Sequence, residues 1–405
     1  GCIGQRIAPI GNRIANRCRS RLVLPRTLQG PLLRAADNYP VVTVTGPRQS
    51  GKTTLCRATF PDHAYVSLEP LDIREFATED PRGFLAQFEA DVILDEAQRA
   101  PGLFSYLQEL VDNDPRKGRF IISGSENLAL TGTVTQSLAG RTAMLVLLPF
   151  SLQERKQTAG ANASLDEVIF QGGYPRPLIE GIPHEQWLRD YFTTYVQRDV
   201  RQLTQISDLA TFTRFVRLCA GRTAQEVNLS QLGSDAGVSH NTARAWLEVL
   251  EASHIVFLLP AWHTNVSKRI IKSPKMHFVD TGLATSLLGV SSPSQLASHP
   301  LRGPLFETLV ASEVLKQRLH RGLPADLHHY REVRGAEVDV IVPGTPRGLA
   351  VEAKAGQTVQ NEFLKHLAAL PPEKWSRHLV YGGTSPQTRS GIEITPWTAL
   401  ADSPL

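Results

Sequence analysis

An apolar, β-branched run that stops at a glycine-rich octet restricts this chain more than any other feature. Residues 40–45 read PVVTVT, and Gly46-Pro-Arg-Gln-Ser-Gly51-Lys52-Thr53 follows, fitting G-x-x-x-x-G-K-[ST] at every fixed position. The run has the pattern of a buried parallel strand. Glycines let main chain wrap closely around an anion with N–H groups turned inward, and a helix starting at the loop brings its positive end to the same point. The cradle expected for a triphosphate is therefore Gly46, Pro47, Arg48, Gln49, Ser50, Gly51, Lys52, Thr53 and Thr54. Lys52 would reach the β- and γ-phosphates, and Thr53 would offer a hydroxyl to Mg²⁺. The bland reading is a glycine-rich turn with an exposed lysine. Against it, a strand precedes the octet and residues 54–58 can continue a helix.

A phosphate loop needs an acid on the magnesium side at the end of a neighbouring strand. Residues 92–96, VILDE, supply one 43 residues after Lys52. Asp95 would hold Mg²⁺ and Glu96 would orient the attacking water. The alternative is that Asp95 caps a helix. Residues 120–125, FIISGS, form another apolar run ending in hydroxyls, so Ser123 or Ser125 could sense the γ-phosphate; otherwise they belong to a serine-rich turn. Arg141 would serve as an arginine finger only in a homo-oligomer, where a neighbouring subunit supplies it; the alternative is an ordinary surface arginine.

Strand candidates at 65–68, 92–94, 120–123 and 143–148 alternate with helical patterns such as 103–111, which implies an α/β fold with a parallel sheet covered on both faces. After Pro149 the pattern changes: 151–165 is polar and irregular, GGYPRP at 172–177 is a turn cluster, and 187–203 and 209–220 read as helices. At 405 residues, two or three domains are expected. No apolar run approaches the roughly 20 residues of a membrane span. The four cysteines, Cys2, Cys18, Cys56 and Cys219, have no pairing or zinc-type spacing, which fits a reducing, cytoplasmic setting. The net charge of +4 permits contact with nucleic acid without arguing for it. Residues 1–36 hold seven arginines and neither lysine nor acid; this reads as a basic arm packed on the next domain, or as a transit-type leader.

Residues 230–236, a turn at Gly237-Val238, a helix capped by Ser239 and running to 251, and a strand at 255–259 make a winged-helix pattern. Ala243, Trp246, Leu247 and Leu250 share one helical face and read as core. DNA is the partner in the sharp reading, through His240, Asn241 and Arg244 on the second helix and a basic wing of Lys268, Arg269, Lys272 and Lys275. Glu248 and Glu251 weigh against it, and the other reading is a module that packs on the ATP-binding domain and relays its state.

Further on, EVDVIV at 337–342 alternates as a strand should, and Glu352-Ala-Lys354 comes 13 residues after Asp339. Glu352 and Lys354 share a strand face, and a hairpin would set Asp339 beside them. Glu307 lies upstream on a helix expected at 306–319. The oxygens of Asp339, Glu352 and Glu307 suit a hard divalent cation, Mg²⁺ or Mn²⁺, with Lys354 steadying charge as in metal-dependent phosphodiester cleavage. The plain alternative is two strands with surface ion pairs.

GPRQSGKTTL at 46–55, VILDEAQRAPGLFSYLQELVD at 92–112, ISGSENL at 122–128, GGYP at 172–175, HFVDTGLA at 277–284 and the closing EVDVIV and VEAKAG together resemble the prokaryotic AAA-type ATPases with an AAA_14 domain and a C-terminal DUF4143 domain. The resemblance runs from Pro25 onward. It implies an ASCE-type P-loop sheet with an extra strand between the nucleotide-loop strand and the Asp95 strand, ATP binding and hydrolysis, and a restriction-endonuclease-like C-terminal domain. The expected organisation is a basic arm (1–24), the ATPase domain (25–150), a helical linker (151–205), a winged-helix domain (206–275) and the nuclease-like domain (276–405). The expected function is an ATPase that couples nucleotide state to a DNA-directed end. The alternative is a regulatory ATPase whose last domain binds partners without cleaving.

Overall fold

β1 (Val41–Thr45) is buried along its whole length, as befits valine and threonine between two flanking strands. This computed structural model describes residues 23–125, 137–196, 208–262, 273–331, 337–402 and 405. Residues 1–22 of the basic arm, the boundary drawn at 205/206 and Lys268, Arg269 and Lys272 lie outside the described residues. β1 pairs in parallel with β4 (Phe120–Ser123) and β5 (Thr142–Val146); β3 (Val92–Asp95) lies between β4 and β2 (Ala64–Ser67). The order is β2-β3-β4-β1-β5, so the extra strand implied by the family resemblance is β4.

Strand alternation sorts the side chains onto two faces. Val41, Val92, Leu94, Phe120 and Ile122 pack with Leu103, Phe104 and Leu107 of α3 (Leu103–Asn113). Val42, Val44, Ile93 and Ile121 pack with Leu32 of α1 (Gln29–Asn38) and with Leu55 and Cys56 of α2 (Lys52–Thr59). A sheet covered on both faces leaves its carboxyl edge as the place for a ligand.

Residues 151–165 are less irregular than their polarity suggests. A capping box between Ser151 and Glu154 starts a helical turn at Leu152–Arg155. The GGYPRP cluster opens α4 (Pro175–Glu180). Then come α5 (Leu209–Ala220), β6 (Gln225–Glu226), α6 (Leu229–Ala236), α7 (His240–Ala252), β7 (Val256–Leu259) and β8 (Lys275–Phe278). Gly237, at φ 77°, ends α6, and Ser239 caps α7 by accepting from the Thr242 amide. Trp246 meets Phe212 and Phe215 edge-on at 5.2 and 5.3 Å, which makes it core. β8 is the central strand of an antiparallel β6-β8-β7 sheet, so a domain boundary at 275/276 would cut through it.

α8 (Arg302–Leu319) is buried over most of its surface and joins the halves of the molecule. Near its C-terminal end it grips the segment leaving β5: Glu313 accepts from the Leu152 amide, Lys316 donates to the Phe150 carbonyl, and His320 accepts from the Leu148 amide. Near its start it carries Glu307. The last sheet runs β13-β14-β12-β11-β10-β9, with β9 (His328–Arg331), β10 (Glu337–Val342), β11 (Gly348–Lys354), β12 (Trp375–Tyr381), β13 (Gln387–Arg389) and β14 (Ile392–Pro396). β10 and β11 form the expected antiparallel hairpin. No helix among the described residues is long and apolar enough to cross a membrane.

Candidate functional site

The loop after β1 is shaped by its glycines. Gly46 has φ 137°, and a Cβ there would lie 2.1 Å from the Leu147 carbonyl oxygen. Gly51 sits at φ 96°, immediately before α2 begins at Lys52. Gln49 also takes a left-handed conformation, at φ 61°. The free amides of the first helical turn therefore face the loop. Lys52 is buried and donates to the carbonyls of Gly46 and Pro47, each at 2.8 Å. Burial pulls its ammonium down to about 8, against the opposing pull of Glu96 and Asp95.

Strand register brings the acid to the loop. Asp95 is paired with Ser67 on one side and Ser123 on the other. Its carboxylate accepts from Thr53 Oγ1 at 3.1 Å to both oxygens, from Ser123 Oγ at 2.5 Å and from Tyr65 Oη at 2.9 Å. Asp95 therefore does not cap the 3₁₀ turn that follows, whose N-cap is Glu96 with no side-chain bond. Glu96 sits at φ 56°, an uncommon conformation for a residue with a side chain. Its Oε2 accepts from Gln98 Nε2 at 2.6 Å, with Ser125 Oγ at 3.4 Å. Among the predicted residues, Lys52, Thr53, Asp95, Glu96, Ser123 and Ser125 thus gather at one sheet edge.

Arg141 does not join them. It precedes β5 at the opposite end of the sheet, where both its Nε and Nη2 bond Asp112 of the same chain, at 2.6 and 2.9 Å.

Several residues of this site carry no local motif. Tyr65 is held above the usual tyrosine range by burial and by Asp95. Arg26 is buried and donates to the carbonyls of Ser50 and Leu148 at 2.7 and 2.8 Å, pairs with Glu154 at 3.0 Å and lies over the Phe150 ring. It thereby fixes the loop from behind. Although burial opposes it, Arg26 and then His320 hold the Glu154 carboxyl far below the usual range. The cleft itself, about 890 Å³, is lined by Arg48, Lys52, Thr53 and Glu96 on one wall and by Pro175, Arg176 and Ile179 of α4 on the other. Tyr191 Oη also donates to the Arg48 carbonyl at 3.4 Å. The turn ahead of α4 is anchored by the Gly173 amide donating to Asp280 at 2.7 Å.

A second charged cluster lies in the C-terminal sheet. The β10–β11 register sets Asp339 across from Glu352, and Asp339 Oδ2 accepts from the Ala353 amide at 2.9 Å. Lys354 pairs with Glu352 at 2.5 Å. Glu307 reaches the same place from α8. Lys275, expected in a basic DNA-directed wing, is instead buried here, with Nζ 2.9 Å from Glu307, 2.7 Å from Glu337 and 3.4 Å from Asp339. The reason is strand alternation: β8 is buried throughout, and its first side chain is turned toward the carboxylates. Burial, and then the Asp339 charge, push the Glu307 and Glu352 carboxyls well above the usual carboxylate range. Among the described residues, no three His, Cys, Asp or Glu side chains converge as ligands of one metal ion.

A loop able to wrap an anion, met across two strands by an aspartate bonded to the loop's own threonine, is the arrangement around which P-loop ATPase domains are built. The β2-β3-β4-β1-β5 sheet puts this chain in that class. Its residues 38–156 match the family model of the AAA domain (AAA_14), residues 162–294 a domain of unknown function (DUF8612) and residues 302–400 a second one (DUF4143). The uncharacterized protein Rv2008c of Mycobacterium tuberculosis is 32% identical over 362 residues, covering 87% of this chain and 79% of its own length. Mb2031c of Mycobacterium bovis matches equally. The chain belongs to this family of AAA-type P-loop proteins with a C-terminal DUF4143 domain. Among solved structures, the Walker-type ATPase PABY2304 of Pyrococcus abyssi aligns over 66% of this chain and 97% of its own, at 16% identity and TM-score 0.46.

Proposed function

We propose that the protein binds and hydrolyses ATP·Mg at the cleft between the phosphate loop and α4, and that nucleotide state is passed through α4 to the rest of the chain. The observation that carries this reading is the contact of Thr53 with both Asp95 oxygens at 3.1 Å. A hydroxyl and a carboxylate meeting at the mouth of an amide-lined loop suit a hard divalent cation beside a triphosphate. Thr53 and Asp95 would hold Mg²⁺ there, and the ion would supply positive charge against the phosphates. Lys52 exchanges its carbonyl partners for phosphate oxygens. Glu96, held by Gln98 and Ser125, orients the attacking water, and Ser125 lies close enough to respond to the γ-phosphate. Pro175, Arg176 and Ile179 line the same cleft as the loop, so a change at the nucleotide would be felt by α4 and, through the Gly173–Asp280 bond, by the segment that follows β8.

Two readings of the far end divide on experiment. In the first, the α5–β6–α6–α7–β7–β8 order is a winged helix, the C-terminal sheet is restriction-endonuclease-like, and the pair acts on DNA. In the second, the ATPase is regulatory and the C-terminal domain binds partners without cleaving. The mixed charge of the exposed α7 face and the burial of Lys275 favour the second.

Phosphate release by wild type, Lys52→Ala and Glu96→Gln tests the ATPase. Wild type should turn over, Lys52→Ala should fail to bind, and Glu96→Gln should bind and turn over slowly; normal turnover by both variants defeats the assignment. Supercoiled DNA incubated with Mg²⁺ or Mn²⁺ tests the far end. Nicking by wild type that is lost in Asp339→Ala restores the cleaving reading.

A further inference from the structure

We propose that Lys275 is a built-in counter-ion that keeps a divalent cation out of the C-terminal acidic site, and that the cation enters only when β8 draws this lysine back. The proposal rests on reading Glu307, Asp339 and Glu352 as cation ligands.

The ammonium of Lys275 lies within 3.4 Å of Glu307, Glu337 and Asp339, and its side chain is 5% exposed. An ammonium has three N–H donors, so these three carboxylates use all of them. It stands where oxygens from α8 and β10 would otherwise close on a metal, which accounts for the lack of a converged ligand set among the described residues. The oxygens themselves are of the right kind for Mg²⁺ or Mn²⁺. One of them is left over: Glu352 is 4% exposed, and its Oε2 has no hydrogen-bond partner among the described residues. Of the three proposed ligands Lys275 meets only Glu307 and Asp339, so a divalent ion would add the unpartnered Glu352 oxygen to the set.

The origin of the blocking residue suggests a switch rather than a fixed structural pair. Glu307, Glu337, Asp339, Glu352 and Lys354 all fall within the DUF4143 match, 302–400, whereas Lys275 falls within the preceding match, 162–294. It is the first residue of β8, and Asp280, just beyond that strand, accepts from the Gly173 amide at the turn into α4. α4 lines the nucleotide cleft. A lysine on a flexible four-carbon stem can leave such a site with little movement of main chain. The acidic site is thus shared between two modules, and the module nearer the nucleotide supplies the piece that closes it.

The test is calorimetric titration of the metal-stripped full chain with Mn²⁺, without nucleotide, for wild type, Lys275→Gln, Lys275→Arg and the double variant Lys275→Gln/Glu352→Gln. Lys275→Gln should bind Mn²⁺ at least tenfold tighter than wild type, Lys275→Arg should stay at the wild-type level, and the gain should vanish in the double variant. Equal affinity in wild type and Lys275→Gln, lost on Glu352→Gln, overturns the blocking role while leaving the cation-site reading in place. Absence of any Glu352-dependent binding at millimolar Mn²⁺ removes both. If circular dichroism shows Lys275→Gln unfolded, Glu337→Gln makes the same comparison by loosening the lysine at its more exposed anchor. A gain of at least threefold is then expected, and no gain overturns the proposal.

Discussion

The two charged sites use the same residue types in opposite ways. At the N-terminal cleft the acids are held by neutral donors: Asp95 by Thr53, Ser123 and Tyr65, and Glu96 by Gln98 and Ser125. Lys52 rests on main-chain carbonyls and keeps its charge uncommitted. In the C-terminal cluster the lysines sit directly on the carboxylates. The first arrangement awaits an anion and a cation together. The second has already satisfied itself in part. Residue composition therefore says less about a site than which groups are paired with which.

The sharpest way to break this contrast is to remove one carboxylate's charge from each site. Glu96→Gln should lower kcat by roughly 10²–10³-fold, with nucleotide affinity within about threefold, as expected when water positioning is lost. Glu352→Gln should leave kcat within about twofold. Equal losses would mean that the sites are not separate. A second test uses pH. The folded-state pKa values of Glu307 and Glu352 are raised, so their contribution to stability is complete below the ordinary carboxylate value of about 4.3 and is lost as pH rises toward about 8. In chelator, the melting temperature of wild type relative to Glu352→Gln should fall across that window and level off above it. A flat difference would show that the carboxyl ionises normally. Tyr65→Phe should weaken Mg·ATP binding by roughly 3–10-fold, the scale of one hydrogen bond to a charged group, because Asp95 loses a donor that holds it. Arg141→Ala should change kcat by less than about twofold. A tenfold loss would reinstate the arginine finger and with it a working oligomer.

Much of the N-terminal domain was legible in the sequence. Short β-branched runs marked β1, β3 and β4 to within a residue or two, and the octet's spacing after a strand marked a loop of this shape. The C-terminal hairpin was legible for the same reason: alternation fixes which side chains share a face, and so brought Asp339, Glu352 and Lys354 together in advance. What stayed hidden was held by distant partners. Arg26 meets Glu154, and Tyr65 meets Asp95, through tertiary contacts that leave no trace in the neighbouring sequence. Lys275 was misread because its neighbours at 268–272 are basic; the alternation Lys275-Met-His277-Phe was the signal that it begins a strand. The cleft-lining role of α4 was missed because GGYPRP announces a turn and not what the turn faces.

The central claim is that the loop ahead of Lys52 and the Asp95–Glu96 pair form a single triphosphate site. Titrating the full chain with Mg·ATP, beside Lys52→Ala and Lys354→Ala, tests it most directly. One saturable site per chain is expected in wild type and in Lys354→Ala, weakened by roughly 100-fold or more in Lys52→Ala, as loss of charge-assisted bonds to phosphate requires. No uptake by wild type at millimolar nucleotide, or uptake indifferent to Lys52, would contradict the account.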